Sequence, residues 1–442
     1  MTLNTSPDHC CNNVPIETFT KERPKLLQDA PFLLLLGMVV LEFLLYPRVK
    51  VLGAYVRLVD ICALFAVIAC AWSFIRNKIM MRDFITDNRA LLLLILMVLS
   101  GGLLSALFSS DRMMSLKKLV QLTERMSLII FAVWAARGRP VRVILYTIAG
   151  MAVLESCVGF TQYLLNYGDV FMWHAVRISG SLGNLLASYL LLGLIITFTF
   201  SLKRSSGQWL WFALSGIIFT ALVLTQVRSV WILGLFSFML ICLFCMSSLK
   251  SLFKVLLALV LSIALLLTVA GMIRPDAAKE YISVLKRRSS NTVVIRVELW
   301  HAAVKMFVDH PVTGIGLGNY SSYYHKLRYR SDKIDAIDGS FNLHNEFDAH
   351  SDFLTRLAEM GAIGSFLFLI FNIYLLRWAW SARSRLQESG ESIAVPIIII
   401  VSLLADFISS PLGGNLFWLL VGLLWLIARK LPMPDPQPKE IA

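Results

Sequence analysis

Long apolar runs divided by short charged connectors leave this chain few ways to fold. They fall at 31–46, 57–75, 90–108, 119–136, 141–165, 184–202, 208–225, 230–249, 251–273, 353–376, 394–410 and 414–428, twelve in all. In hydrocarbon every backbone N–H and C=O must be satisfied within its own segment, so each run is expected to be a helix. The first and last runs are short, as for tilted or partly interfacial spans. Charged residues are only 16% of the 442, against about 25% in soluble domains. The expected fold class is all-α, a polytopic membrane protein of twelve transmembrane helices.

The net charge of +13 would suggest nucleic acid in a soluble protein. Here the basic residues collect in connectors, which reads as a topology signal, and no nucleic-acid partner is expected. The richer connectors are 76–89, 137–142, 203–204, Lys250 with Lys254, 377–385 and both chain ends. That side is expected to be cytoplasmic. The chain then divides into a cytoplasmic tail (1–30), nine transmembrane helices (31–273), an outer polar loop (274–352), three further helices (353–428) and a second cytoplasmic tail (429–442). The run after the polar start lacks a small-residue cleavage site, so the first span reads as a retained anchor. "CLFC" at 242–245 lies inside an apolar run without helper ligands and reads as packing.

The 274–352 segment is too long for an idle connection. Amphipathic pieces ("KEYISVLKRR", "VVIRVELWHAAVKMFVD") alternate with turn-rich ones ("HPVTGIGLGNY", "DKIDAIDGSFN"), as in a small external cap. His174, His301, His310, His325, His344 and His350 all fall on the predicted outer side, and only His9 does not. One face of the membrane is expected to hold the polar chemistry.

His350 opens a helix. Ser351 or Asp352 can cap its orphan N–H groups. Asp352–Arg356 and Arg356–Glu359 have the spacing of pairs along one helical face. Gly361 and Gly364, with Ala362, suit close helix packing. The positive end of the helix dipole favours neutral imidazole, the form that accepts a proton. His350 is thus either a general base or an interfacial cap residue. Arg228, between two apolar runs with almost no loop, either binds an anion such as a diphosphate or snorkels to headgroups. Arg296 serves an anion or pairs with Glu298 or Glu346. His174 and Arg177 lie before the 184–202 run. Gly314, Gly316 and Gly318 do not follow a strand, so they read as a tight turn with backbone close to something rather than as a dinucleotide fingerprint. Neither a Walker A motif nor HExxH occurs.

"HSDFLTRLAEMGAIG" fits His–Ser–nine residues–Gly–two residues–Gly, with His350, Ser351, Gly361 and Gly364 in place. It resembles the signature of the O-antigen ligase family, within the wider O-antigen ligase/polymerase group of membrane glycosyltransferases. "SGSLGNLLASYL", "TQVRS" and "RVELWHAAVKMFVDHPVTGIGLGNY" resemble further pieces of that group, in the same order. The chain departs from the common Ser-Arg at Val227-Arg228, and has Asp352 and Phe353 where relatives frequently have more aliphatic residues. The resemblance implies a GT-C-like enzyme of the bacterial inner membrane with its active site facing the periplasm. It implies transfer of a polysaccharide from undecaprenyl diphosphate to lipid A–core, with inversion and with no metal or other cofactor. His350 would be the catalytic base, and Arg228, Arg296, Arg177 and His344 would bind substrate. A polysaccharide polymerase and a protein O-oligosaccharyltransferase are the rivals within the group. A transporter is the rival outside it, for which Glu42, Glu124, Arg125, Glu155 and Asp406 would be the membrane charges.

Overall fold

The computed structural model describes residues 25–43, 48–51, 54–165, 185–202, 207–245, 293–325, 348–389, 393–408 and 414–429, and the isolated positions 178, 182, 268, 272 and 329. Eleven of the twelve apolar runs fall on helices. These are α1 (Lys25–Glu42), α2 (Leu58–Arg76), α4 (Arg89–Leu107), α5 (Arg112–Ala135), α6 (Val141–Leu164), α7 (Leu186–Ser201), α8 (Gln208–Leu224), α9 (Arg228–Cys245), α12 (Asp352–Ser389), α13 (Ala394–Ile408) and α14 (Gly414–Arg429). The run at 251–273 lies, but for two isolated positions, outside the described residues. Two further helices, α10 (293–309) and α11 (Tyr320–Tyr324), belong to the polar segment.

Among the described residues four helices are long and apolar enough to cross a membrane: α2, α4, α6 and the Asp352–Arg383 part of α12. Helices α7, α8, α9, α13 and α14 are apolar but shorter. The side chains sort as lipid demands. Along α2 a stripe of Leu64, Phe65, Ile68, Trp72 and Ile75 is exposed, a face that suits hydrocarbon and not water. Helices α7 and α14 are buried almost throughout and form the middle of the bundle. The chain is a helical membrane protein.

Two stretches read as connectors have structure of their own. Residues 78–87 form α3, capped by Asn77, whose side chain accepts from the Met80 N–H at 3.0 Å. Arg48–Val51 and Ala54–Arg57 form a two-stranded antiparallel hairpin, β1–β2, with Arg48 opposite Arg57. It is the departure from an otherwise helical fold among the described residues.

Each end of the bundle is fastened differently. At one end Asp87 takes Arg137 at 3.1 Å and Arg429 at 2.7 Å, Arg139 pairs with Asp29, and the Trp425 indole donates to Asn88 Oδ1 at 2.7 Å. Connectors that the charge pattern assigned to one side meet here by contact. Elsewhere, the buried Glu42 carboxylate accepts from the Tyr189 hydroxyl at 2.5 Å and the Asn415 N–H at 3.2 Å. Asn415 Nδ2 donates to Asp60 Oδ1 at 3.2 Å. Glu42 therefore locks α1, α7 and α14 together.

Helix α12 is two helices joined at a break. Gly361 has φ 63° and ψ −166°, a backbone open essentially to glycine alone. The break frees backbone groups on both sides, and the segment 311–316 takes them up. Ile315 N donates to Ala358 O and Gly316 N to Glu359 O, both at 3.0 Å. Ala362 N donates to Pro311 O at 2.8 Å and Ile363 N to Val312 O at 3.3 Å. A Cβ on Gly361 would come within 2.5 Å of Gly314 N and Val312 O, and one on Gly314 would meet the Glu359 backbone. Gly364 packs as the sequence suggests: a Cβ on Gly101 of α4 would lie 3.1 Å from its Cα. Gly361 is different, a backbone joint and not simply a small packing residue.

Gly361→Ala and Gly314→Ala are each expected to destabilise the protein by about 2–4 kcal/mol through forced backbone strain and overlap. Gly37→Ala and Gly150→Ala, with nothing within 4 Å of the new Cβ, should be neutral or up to ~1 kcal/mol stabilising by helix propensity. Thermal unfolding in detergent micelles compares the four; equal midpoints would contradict the joint.

Candidate active site

A second, smaller apolar cluster builds the site. Leu299, Ala302, Ala303 and Met306 of α10 are buried against Ile315, Tyr320, Tyr323 and Tyr324, and against Ala349 and Ala358 beside the break. The Tyr320 hydroxyl donates to Leu299 O at 2.6 Å, and burial pushes that phenol up from its usual value. The glycine turn is held to the membrane helices by a polar knot. Asn319 Nδ2 donates to Ser109 Oγ at 2.6 Å and Ser115 Oγ at 3.1 Å, and the Ser115 hydroxyl donates to Leu317 O at 2.9 Å. The described part of the cap, with Arg296 on its first helix, thus packs directly on the start of α12.

His350 sits at φ 51°, in the left-handed region, where a non-glycine residue costs about 1–3 kcal/mol. Its neighbours fix it there. The His350 N–H donates to Asp348 Oδ1 at 2.8 Å. Ser351 is the cap that stops the turn: its Oγ accepts from the Leu354 N–H at 3.4 Å and donates to Asp406 O at the same distance. Thr355 Oγ1 accepts from the Ala349 N–H at 3.1 Å and donates to Ser351 O at 2.9 Å. The imidazole is half-exposed, with Nδ1 3.8 Å from Asp348 Oδ1.

Three influences set the protonation of His350. Burial lowers its pKa most, Asp348 raises it, and the charge of Arg296 lowers it, with a net result below the ordinary 6.5. The ring is therefore neutral at pH 7 and able to take a proton. Arg296, half-buried on α10, is itself lowered by burial but remains cationic, as guanidinium does in proteins. Its charge is felt at His350, so the two side chains lie within electrostatic range of each other.

Arg228 is the first residue of α9, half-buried, directly after a turn in which Gln226 has φ 58°. The indole of Trp231 donates to Leu222 O at 3.3 Å and ties that turn across α8 and α9. His174, Arg177 and His344 lie outside the described residues, as does Glu346. The Asp352–Arg356 pair forms as the spacing suggests, with Arg356 Nε donating to Asp352 Oδ2 at 2.7 Å. The Arg356–Glu359 pair is replaced. Arg356 lies over the Phe368 ring at 3.7 Å, and Glu359 Oε1 accepts the Tyr320 N–H at 3.1 Å.

The sequence reading missed the α5 side of this region. A cavity of 320 Å³ opens between the first turns of α5, the glycine turn and the first half of α12, and Lys118, Gln121 and Arg125 line it. The signal was present: at and just before the start of the 119–136 run these polar residues recur at helical spacing, on one face.

Residues 213–369 match the family described as O-antigen ligase. The matched stretch runs from within α8 to the second half of α12, and includes Arg228, Arg296, the glycine turn, His350 and the Gly361 break. No curated protein matches the chain.

Diethyl pyrocarbonate acylates neutral imidazole, so its rate at His350, read by mass spectrometry against pH, reports the titration. The wild-type midpoint should lie below 6.5. Removing a cation with Arg296→Gln should move it to higher pH, and removing a carboxylate with Asp348→Asn to lower pH. Coincident midpoints for all three proteins would contradict this electrostatic assignment.

Proposed function

From the match of residues 213–369 to the O-antigen ligase family, we propose that this protein belongs to that family and transfers a polysaccharide from undecaprenyl diphosphate to lipid A–core. The reaction takes place at the periplasmic face of the bacterial inner membrane, in a GT-C-like helical enzyme. The observation that carries this reading is His350. It is a half-exposed imidazole fixed in a strained backbone, kept neutral by burial and by Arg296, with a carboxylate at its back.

An acceptor hydroxyl attacks the anomeric carbon of the lipid-linked sugar from the side opposite the diphosphate. The new C–O bond forms as the bond from that carbon to the diphosphate oxygen breaks, and the anomeric centre inverts. His350 takes the hydroxyl proton and becomes imidazolium, which the Asp348 carboxylate stabilises. The electron pair of the broken bond leaves on the diphosphate. Arg296 and Arg228 neutralise it; preorganised charge of this kind is worth several kcal/mol, and a guanidinium grips two oxygens at once. Arg177 and His344 complete the substrate-binding set. The donor carries its own activation, so the step runs without nucleotide or metal.

The test is purified protein in nanodiscs with lipid-linked polysaccharide, lipid A–core and EDTA. His350→Ala should lose about a hundred- to ten-thousand-fold in transfer rate while remaining folded, and Arg296→Ala should lose at least about a hundredfold. Undiminished transfer by His350→Ala would sink the base assignment. Donor chains that lengthen without lipid A–core would indicate a polymerase instead.

A further inference from the structure

The 320 Å³ cavity beside the His350 turn is built for a ligand unlike a diphosphate. Three cations reach it, Lys118, Arg125 and Arg356, and three carboxyl side chains, Asp348, Asp352 and Glu359. Acidic and basic side chains are thus equal in number among the described lining residues. A diphosphate site needs a clear excess of cations, which the described lining does not supply.

Its polar groups are also held in place before any ligand arrives. Arg356 is 14% exposed and Asp352 19%, bound to each other. Glu359 is buried, its carboxylate fixed by the Tyr320 N–H and its carbonyl by the Ser105 hydroxyl at 2.7 Å and the Gly316 N–H. The stem of Lys118 lies against Gly318, where a Cβ would collide with it. Gln121 and Ser321 add groups of the kind that both donate and accept. A fixed lining that mixes donors and acceptors suits a sugar ring, each of whose hydroxyls does both. A cavity of this size falls at the lower end of the range for small-molecule sites, roughly 300–1,000 Å³.

Asp348 belongs to two places at once. It lines this cavity, and it also holds the His350 backbone and faces its Nδ1. The cavity therefore adjoins the base. Arg296, the cation coupled to that base, is absent from the lining. The α5 wall with Lys118, Gln121 and Arg125 lies outside the stretch that matches the family, residues 213–369.

We propose that this cavity is the acceptor-sugar subsite, with Gln121 and Lys118 of α5 as specificity-determining residues. The inference rests on the glycan-transfer reading. The sugar's reacting hydroxyl projects towards His350, and the α5 wall selects which ring is seated.

Full-length protein in nanodiscs tests it with two readouts. The first is titration with deacylated core oligosaccharide, which needs no turnover. The second is steady-state transfer with donor and acceptor varied separately. Gln121 is exposed at the rim, so Gln121→Trp fills the opening without disturbing the bundle; the thermal midpoint checks this, and Gln121→Ala serves if it drops. Gln121→Trp should weaken oligosaccharide binding and raise the acceptor KM by at least about tenfold, equivalent to about 1.4 kcal/mol. The donor KM should stay within about twofold, since no donor group is placed there. A rise in donor KM instead, or unchanged oligosaccharide binding, overturns the subsite. If the wild type transfers no glycan, the functional reading fails by itself. The titration then still decides: binding lost in Gln121→Trp upholds a sugar site, and no binding to the wild type ends it.

Discussion

Everything at the site depends on four backbone hydrogen bonds between the 311–316 segment and the break at Gly361. A helix interrupted near the membrane surface leaves N–H and C=O groups without intrahelical partners, each costly in a medium that cannot hydrate them. Here the interruption is tolerated because a turn of the cap supplies the missing partners on both sides of the break. Glycines at 314 and 361 let the two backbones come that close. The same contact fixes cap to membrane helix, and hence Arg296 to His350. Two side chains more than fifty residues apart acquire a defined electrostatic relation through main-chain geometry.

The break also explains how a short helical piece can carry a strained histidine. The first half of α12 is tied at its start by Ser351 and Thr355, and at its end by Ile315 and Gly316. Between these ties Arg356 folds back over Phe368 of the second half, so that its charge is paired with Asp352 and its planar face is covered. A segment anchored at both ends can hold a left-handed residue in place because the alternative conformations would break several bonds together.

The sequence made some of this legible and hid the rest, for physical reasons. Apolar runs located eleven helices because hydrocarbon permits little other than a helix. The local pair Asp352–Arg356 was readable because four-residue spacing is a property of any helix. The hairpin at 48–57 was overlooked although "RVKV" and "AYVR" alternate with a period of two; four residues per strand is a short signal beside long apolar runs. The 76–89 stretch read as a connector because charge dominates it, although its structure is an amphipathic helix. Gly361 read as a packing residue, since its true partner lies some fifty residues away and local pattern cannot reveal a backbone-to-backbone contact. Lys118 and Gln121, at the edge of the 119–136 run, were passed over and Arg125 read only as a membrane charge, because averaged hydropathy erases one polar face.

The electrostatic layout separates two demands that a single pocket would set against each other. A base must be neutral before the reaction and charged after it, whereas a leaving diphosphate needs cations throughout. A cation beside the base favours its neutral form but resists its protonation; a carboxylate does the reverse. Arg296 and Asp348 act on His350 in these opposite senses, and burial tips the resting state to neutral. Asp348 faces the ring at 3.8 Å while it is half-exposed, so its attraction is muted by water until a substrate covers it. Excluding that water would strengthen the carboxylate's pull at the moment the imidazole takes a proton.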